Sequence, residues 1–377
     1  MPRAPASVYV GHGSQPGPFD HDSRDRAVTE AMIPPQELPI ARTHSSAWSV
    51  GRVHLGRIRD DVPRTTGIAI SPLGLSADAH AQATDALTQI WHSAALLNLG
   101  GDPVPVYRAN VLGTRHLLAL ADHAPSAQVI HVSTAYVAGR RLTGHVQHVQ
   151  EDDLREDAGF QVPYEETKYS AETMVHAWAR NTRRPVAIMR PSLLVTDRPT
   201  PPGLPSQPLD DLMRAVDAGV HALSPGDKSR PLLPAYQRGR ADTLRLRVAI
   251  DPGGALNLLQ VDYAAQAMVR AAETLRSTTS LRTLHVTHPQ NTTTATAAGA
   301  LERRFPGTAL VPVPELTDPT PAEALIVGHT RLLGYFAQRR TYDRSNLLEV
   351  IGDLADPKPL DEDYLVRALQ DPADQPR

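Results

Sequence analysis

The chain has 377 residues, 41% of them apolar and 21% charged, with a formal charge of −3, 34 prolines and no cysteine. That length suits one large α/β unit with a smaller added lobe. No window approaches the roughly 18 apolar residues of a membrane span, the charge offers no broad attraction to nucleic acid or anionic lipid, and disulfides and thiolate metal sites are excluded.

The first strand candidate, residues 7–10, runs into Gly11-His12-Gly13-Ser14-Gln15-Pro16-Gly17. A strand feeding a glycine-rich turn is where an α/β fold seats a dinucleotide pyrophosphate on a helix N-terminus. The spacing here is G-x-G-x-x-x-G, and Pro16 and Pro18 each remove an amide N–H that can donate to phosphate. Gly11, Gly13 and Gly17 are candidate cofactor-binding residues on an altered turn, with an ordinary surface turn as the alternative. Residues 25–32 read as a short helix, and 37–42 and 53–55 as the next two strands. Arg42 stands at the end of the first of these, where a dinucleotide fold distinguishes a bare ribose from a 2′-phosphate. An arginine there suits NADP; a surface arginine is the alternative.

Residues 89–95 read as a buried strand ending in Ser93-Ala94-Ala95, small side chains that let a ligand approach the backbone. A helix opens at Arg108, with Val111, Leu117, Leu118 and Leu120 on its apolar face and Asn110 as an interior polar anchor. Residues 128–137 form a strand rich in β-branched side chains. It delivers Ser133 and Thr134 to its carboxyl end, the ligand side of an open parallel sheet. On the next helix Tyr164 and Lys168 are one turn apart and share a face, and Ala171, Met174, Val175 and Trp178 continue at helical spacing. A free phenol titrates near about pH 10, so proton transfer at neutral pH calls for a neighbouring cation, and Lys168 can be that cation. A solvated pair on a helix face is the bland alternative. Residues 185–192 make another buried strand, and the alternation predicts an α/β fold with a doubly wound, Rossmann-like parallel sheet.

In this order, His92-Ser93-Ala94-Ala95, Asn110-Val111-Leu112-Gly113-Thr114, His131-Val132-Ser133-Thr134-Ala135-Tyr136-Val137, Tyr164-Glu165-Glu166-Thr167-Lys168 and Arg190-Pro191-Ser192 resemble a known family. It is the extended short-chain dehydrogenase/reductase superfamily, in its thioester-reductase and fatty-acyl-reductase-like branch with a male-sterility-type NAD-binding domain. The resemblance implies that Tyr164 protonates the substrate oxygen as hydride arrives. It further implies that Lys168 holds the nicotinamide ribose and lowers the phenol pKa, and that Thr134 hydrogen-bonds the substrate oxygen. Asn110 would support the lysine through water, while Ala94, Ala95 and Pro191 would line the cofactor. Three departures fall on the adenosine-pyrophosphate half: the turn from Gly11 to Gly17 replaces T-G-x-x-G-x-x-G, Gly56-Arg57-Ile58 replaces Gly-Asp-Leu, and the region from residue 11 to 60 is shortened.

The expected organisation is a dinucleotide-binding domain of residues 1–196 and 248–290, with a smaller, mixed but mainly helical substrate lobe of 197–247 and 291–377. In that lobe, residues 325–339 read as a helix with a Leu/Ile/Phe face. His145 and His148 lack a third ligand nearby in sequence, so no metal site is expected. The leading expectation is an NADP(H)-dependent reductase of a thioester, aldehyde or ketone carbonyl in a small-molecule or carrier-bound biosynthetic intermediate. The rival is a redox-inactive relative that uses Tyr164, Lys168 and Thr134 for proton transfer, in a cyclisation or isomerisation, without nicotinamide. A non-enzymatic scaffold has no need of that set. A cytoplasmic location is expected, with no nucleic-acid or membrane partner, and the oligomeric state is open.

Overall fold

The computed structural model describes residues 6–10, 84, 87–97, 102–139, 147–198 except 156 and 158, parts of 207–217, and 244–369 except 278, 279, 322, 325 and 327–331. Gly11, Gly13, Gly17 and Arg42, with the strands expected at 37–42 and 53–55, lie outside these residues.

Among the described residues the main sheet has five parallel strands: β1 (Ala6–Val10), β2 (Leu87–His92), β3 (Gln128–Val132), β4 (Val186–Pro191) and β5 (Leu281–Val286). They lie side by side in that order. Successive strand residues point to opposite faces, and both faces here are apolar. Ile90, Val129, Val186 and Ile188 pack against Leu117, Leu118, Val175 and Ala179 on one side. Trp91, Ile130, Ala187 and Met189 meet Ala264, Ala267 and Leu347 on the other. A sheet buried on both faces by helices is the α/β arrangement the sequence predicts.

The first face is covered by α1 (Pro103–Tyr107), a π-helical turn (Arg108–Leu112), α2 (Gly113–Asp122) and α3 (Pro163–Thr182). Asp102 caps α1 by accepting from the Val104 N–H at 2.9 Å, so this helix starts five residues before the amphipathic spacing suggested. In α3, Pro163 occupies the first turn, Glu165 and Glu166 complement the helix dipole, and Arg183 at φ 54° closes the C-terminus in the left-handed region. The second face is covered by α4 (Val261–Thr274).

Strands β2 and β3 end earlier than expected, at His92 and Val132. The cause in β3 is local: Thr134 turns to cap a 3-10 turn, Ala135–Ala138, accepting from the Tyr136 N–H at 3.3 Å.

The remaining described residues share a second core that includes Leu209, Val216, Leu246, Leu301, Phe336 and Leu365. Here Leu244–Ala249 pairs with Thr308–Val313 and α5 (Thr294–Arg304) packs on the core, whereas α6 (Ser345–Ile351) returns to the second face of the main sheet through Leu347, Val350 and Ile351 before α7 (Glu362–Ala368) rejoins the second core. Of the helix expected at 325–339, residues 325 and 327–331 lie outside the described residues and Ile326 is helical, but the remainder is corrected: 332–337 is a 3-10 turn, and after residues 338 and 339 a strand, Arg340–Tyr342, begins. The backbone explains why. Gln338 O accepts from Ala255 N–H and Arg339 O from Gln147 N–H, so these carbonyls serve neighbouring chain segments instead of a helical ladder. None of the described helices is long and apolar enough to cross a membrane.

Candidate active site

The site is built where α3 runs past the carboxyl end of β3. Three side chains on α3 at successive i, i+4 steps, Tyr164, Lys168 and Glu172, form one row. Lys168 Nζ donates to Val132 O at 2.7 Å, and Glu172 Oε2 accepts from Ser133 Oγ at 2.5 Å. Two consecutive residues of the strand end are thus pinned by two consecutive turns of the helix. Thr134 is the next residue of the strand end, and the Ala135–Ala138 turn it caps packs on α3. The Thr134 hydroxyl also reaches Pro191 O at 3.5 Å, at the end of β4.

Glu172 is itself anchored from behind. Arg190, fully buried in β4, places Nη2 2.6 Å and Nε 3.0 Å from Glu172 Oε1, and donates from Nη1 to Glu151 O at 3.1 Å. His176, one further turn along α3, brings Nε2 to 3.4 Å from Glu172 Oε1. Burial alone would raise the Glu172 pKa; the Arg190 guanidinium and the bonds from His176, Arg190 and Ser133 reverse this and hold it well below the usual carboxylate range.

Lys168 is buried, and loss of solvation pushes its pKa down to about 8 against the opposing pull of Glu172. An ammonium carries three donors, and among the described residues Lys168 spends one, on Val132 O. Tyr164 is half-buried. Its pKa is raised above that of a free phenol, first by burial and then by the neighbouring Glu165 carboxylate. This is opposite in sense to the lowering by Lys168 that the family resemblance implies. Burial is the larger cause, and the nearest charge that acts on the phenol is the carboxylate of Glu165, the next residue in the chain, while the Lys168 ammonium donates to the β3 carbonyl.

Asn110 makes three direct hydrogen bonds that tie two segments together. It lies in the π-helical turn, a helix irregularity often found at functional sites. Its Oδ1 accepts from Leu96 N–H at 2.7 Å, and its Nδ2 donates to Leu96 O at 3.2 Å and to Thr167 Oγ1 at 3.0 Å. The side chain therefore clamps the loop after β2, which contains the half-buried Ala94 and Ala95, to α3 beside Lys168. His92 and Thr114 brace the turn: His92 Nε2 lies 2.8 Å from Thr114 Oγ1, which donates to Asn110 O at 2.6 Å. Burial and the Lys168 charge push the His92 pKa down to about 3, so the imidazole is neutral near pH 7. Substituting Asn110 by Ala leaves the Leu96 groups unpaired, and a loss of about 2–4 kcal/mol is expected by urea unfolding; an unchanged midpoint would show that the clamp does not hold the loop.

Tyr164, Lys168, Thr134, Asn110, Ala94, Ala95 and Pro191 thus converge at the ends of β2, β3 and β4, while Gly11, Gly13, Gly17 and Arg42 lie outside the described residues. No group of three His, Asp or Glu side chains gathers to hold a metal among the described residues, and His148 Nδ1 is engaged with Thr341 Oγ1 at 2.9 Å. Sequence reasoning assigned no role to Glu172 or Glu165. Continuing the i, i+4 row from Lys168 would have found Glu172.

A family model described as male sterility protein, an NAD-binding family, matches residues 62–268. A linear gramicidin synthase polypeptide of Brevibacillus parabrevis is 26% identical over 258 residues, covering 68% of this chain and 4% of that protein. This chain therefore spans a small part of that relative's length. Two solved structures share the fold. The terminal R domain from the myxalamid PKS-NRPS biosynthetic pathway aligns with a TM-score of 0.56 and 21% identity, over 79% of this chain and 71% of that one. A thiolation-reductase di-domain from an archaeal non-ribosomal peptide synthetase aligns with a TM-score of 0.56 and 18% identity, over 77% of this chain and 58% of that one.

Proposed function

This chain belongs to the male sterility protein family of NAD-binding domains, within the extended short-chain dehydrogenases/reductases, and from that premise we propose that it is an NADP(H)-dependent reductase of a thioester or aldehyde carbonyl on a carrier-bound or small-molecule biosynthetic intermediate. The observation that carries the reading is the row of Tyr164, Lys168 and Glu172 locked to Val132 and Ser133, with Thr134 next in the chain. The residues fit a nicotinamide nucleoside. Lys168 keeps two of its three donors for ribose hydroxyls, and the small, half-buried Ala94 and Ala95 lie on the loop clamped beside it. When bound, the nicotinamide supplies hydride to the carbonyl carbon.

The chain's own residues handle the oxygen. The Thr134 hydroxyl hydrogen-bonds it, and Tyr164 delivers a proton to it. A phenol whose pKa is raised is fully protonated at neutral pH, and an alkoxide is basic enough to take that proton readily. Lys168 keeps the ribose beside the phenol, and Asn110 keeps the loop that carries Ala94 and Ala95 against α3. A thioester reduced once in this way collapses to an aldehyde and a free thiol. The similar proteins are a gramicidin synthase, a terminal R domain and a thiolation-reductase di-domain of a peptide synthetase, which favours a substrate delivered as a thioester on a carrier. The lobe of residues 197–247 and 291–377 would receive it.

The matched segment begins at residue 62, after Gly11, Gly13, Gly17 and Arg42. The adenosine end of the cofactor is for that reason the part to test. Titration of the protein with NADPH and with NADH, followed by nicotinamide fluorescence, should show binding of both, with NADPH about tenfold the tighter if Arg42 pairs with the 2′-phosphate. Absence of any binding at millimolar cofactor would remove the reductase reading and favour nicotinamide-free proton transfer by the same three residues.

A further inference from the structure

One side chain of the second core touches a neighbour of each half of the proposed oxygen-binding pair. Tyr335, in the Leu332–Ala337 turn, donates its hydroxyl to Glu165 Oε1 at 2.6 Å, across 170 positions of sequence. Glu165 is 1% exposed, and its other oxygen accepts from the Gln161 N–H at 2.7 Å. The ring of Tyr335 packs edge-on against Tyr136, with centroids 4.9 Å apart and an interplanar angle of 76°. Tyr136 in turn donates its N–H to the Thr134 hydroxyl. Tyr335 therefore touches the residue adjacent to Tyr164 and the residue whose amide orients Thr134.

The first turn of α3 needs such a tie. Lys168 and Glu172 fasten the second and third turns to β3, but Tyr164 projects from the first turn, beyond the last of those anchors, where helix backbone is prone to fray. The Leu332–Ala337 turn lies so close that a Cβ at Gly334 would stand 2.5 Å from Gln161 Nε2, and Gln338 Nε2 donates to Gln161 Oε1 at 3.3 Å. Two donors aimed at one substrate oxygen must keep their separation to within about 0.5 Å to act together. Building on the reductase reading, we propose that Tyr335 and Glu165 are positioning residues that set the separation of the Thr134 hydroxyl and the Tyr164 phenol. The proton donor is then aligned only when the Leu332–Ala337 turn is seated on α3.

The carboxylate has an electrostatic consequence as well. Its negative charge beside Tyr164 disfavours the phenolate, so removing the charge should move the phenol's ionisation to lower pH. The other ionisable groups near this cluster are Lys168 on α3, Tyr136 and Tyr335, and, acting on Tyr136, Arg340 and Tyr342.

Two variants of the full chain separate alignment from charge. Tyr335→Phe keeps the ring and loses the tie; kcat should fall about tenfold or more while the KM for NADPH stays within about twofold. Glu165→Gln keeps both bonds, since its amide can accept from Gln161 N–H and donate to the Tyr335 hydroxyl. It should hold kcat within about threefold and shift the alkaline limb of the pH profile to lower pH. A readout that needs no turnover is the ultraviolet titration of the Tyr164 phenol, taken as the difference from Tyr164→Phe, which should likewise move to lower pH in Glu165→Gln. A protein that neither binds nor oxidises NADPH overturns the reductase reading while leaving that titration to judge the Glu165 contact. Wild-type kcat in Tyr335→Phe overturns the positioning role, and a phenol titration unmoved in Glu165→Gln overturns the charge effect assigned to Glu165.

Discussion

Tyr164→Phe should lower kcat by about 10²–10⁴, the range spanned by loss of a positioned general acid, while leaving the nicotinamide Kd within about twofold. The phenol hydroxyl makes no hydrogen bond among the described residues, and Lys168, the residue fitted to the ribose, is held by the Val132 carbonyl independently of it. Removing one oxygen from a half-buried ring therefore disturbs neither the helix nor the cofactor cradle. Steady-state kinetics with a short thioester or an aldehyde, paired with fluorescence titration, measures both quantities. A variant that lost affinity and rate together would place the phenol in cofactor binding instead.

The second large effect is on stability. Glu172→Ala leaves the Arg190 guanidinium fully buried without its carboxylate, and breaking a buried ion pair from one side costs about 3–5 kcal/mol. Ser133 loses its acceptor too. Chemical unfolding should show this loss, and a change of less than about 1 kcal/mol would mean that Arg190 finds another partner. The pH dependence follows from the sign of the shift. The folded-state pKa of Glu172 lies below its unfolded value, so its stabilisation is complete above the ordinary carboxylate range and declines as the pH falls toward the depressed folded value. The double variant Glu172→Leu with Arg190→Met should recover much of the stability, because an apolar pair of similar volume replaces the ions. Its activity should stay low, because Ser133, the residue before Thr134, is no longer pinned to the helix.

Local signals in the sequence located much of this architecture. The runs read as strands at 128–137 and 185–192 and the apolar spacing from Tyr164 to Trp178 are properties of short segments, and each forms an element of the expected type, although the first strand stops at Val132. The alignment of Tyr164 and Lys168 follows from helical geometry alone. Asn110 was recognisable as a polar residue on an otherwise apolar face, yet its task was not, since a π-helical turn and the backbone of Leu96 determine where its amide points. The Leu/Ile/Phe periodicity at 325–339 suggested a helix to its end, but residues 332–337 form a 3-10 turn and the carbonyls of residues 338 and 339 are taken by the amides of residues 255 and 147. Tyr335 and Glu165 show the limit most plainly. Nothing near either residue announces the other, and only the packed chain brings the phenol to the carboxylate.

The strand order of the main sheet bears on how the molecule is made. Among the described strands the spatial sequence from β1 to β5 repeats the chain sequence, so during synthesis each of these strands can add to an open edge of those already joined. Such growth can proceed as the chain leaves the ribosome, within the slow regime expected for parallel pairing. The Leu332–Ala337 turn emerges after β5, the last described strand of that sheet. The turn that would align the proton donor is therefore made after the strands whose ends it serves.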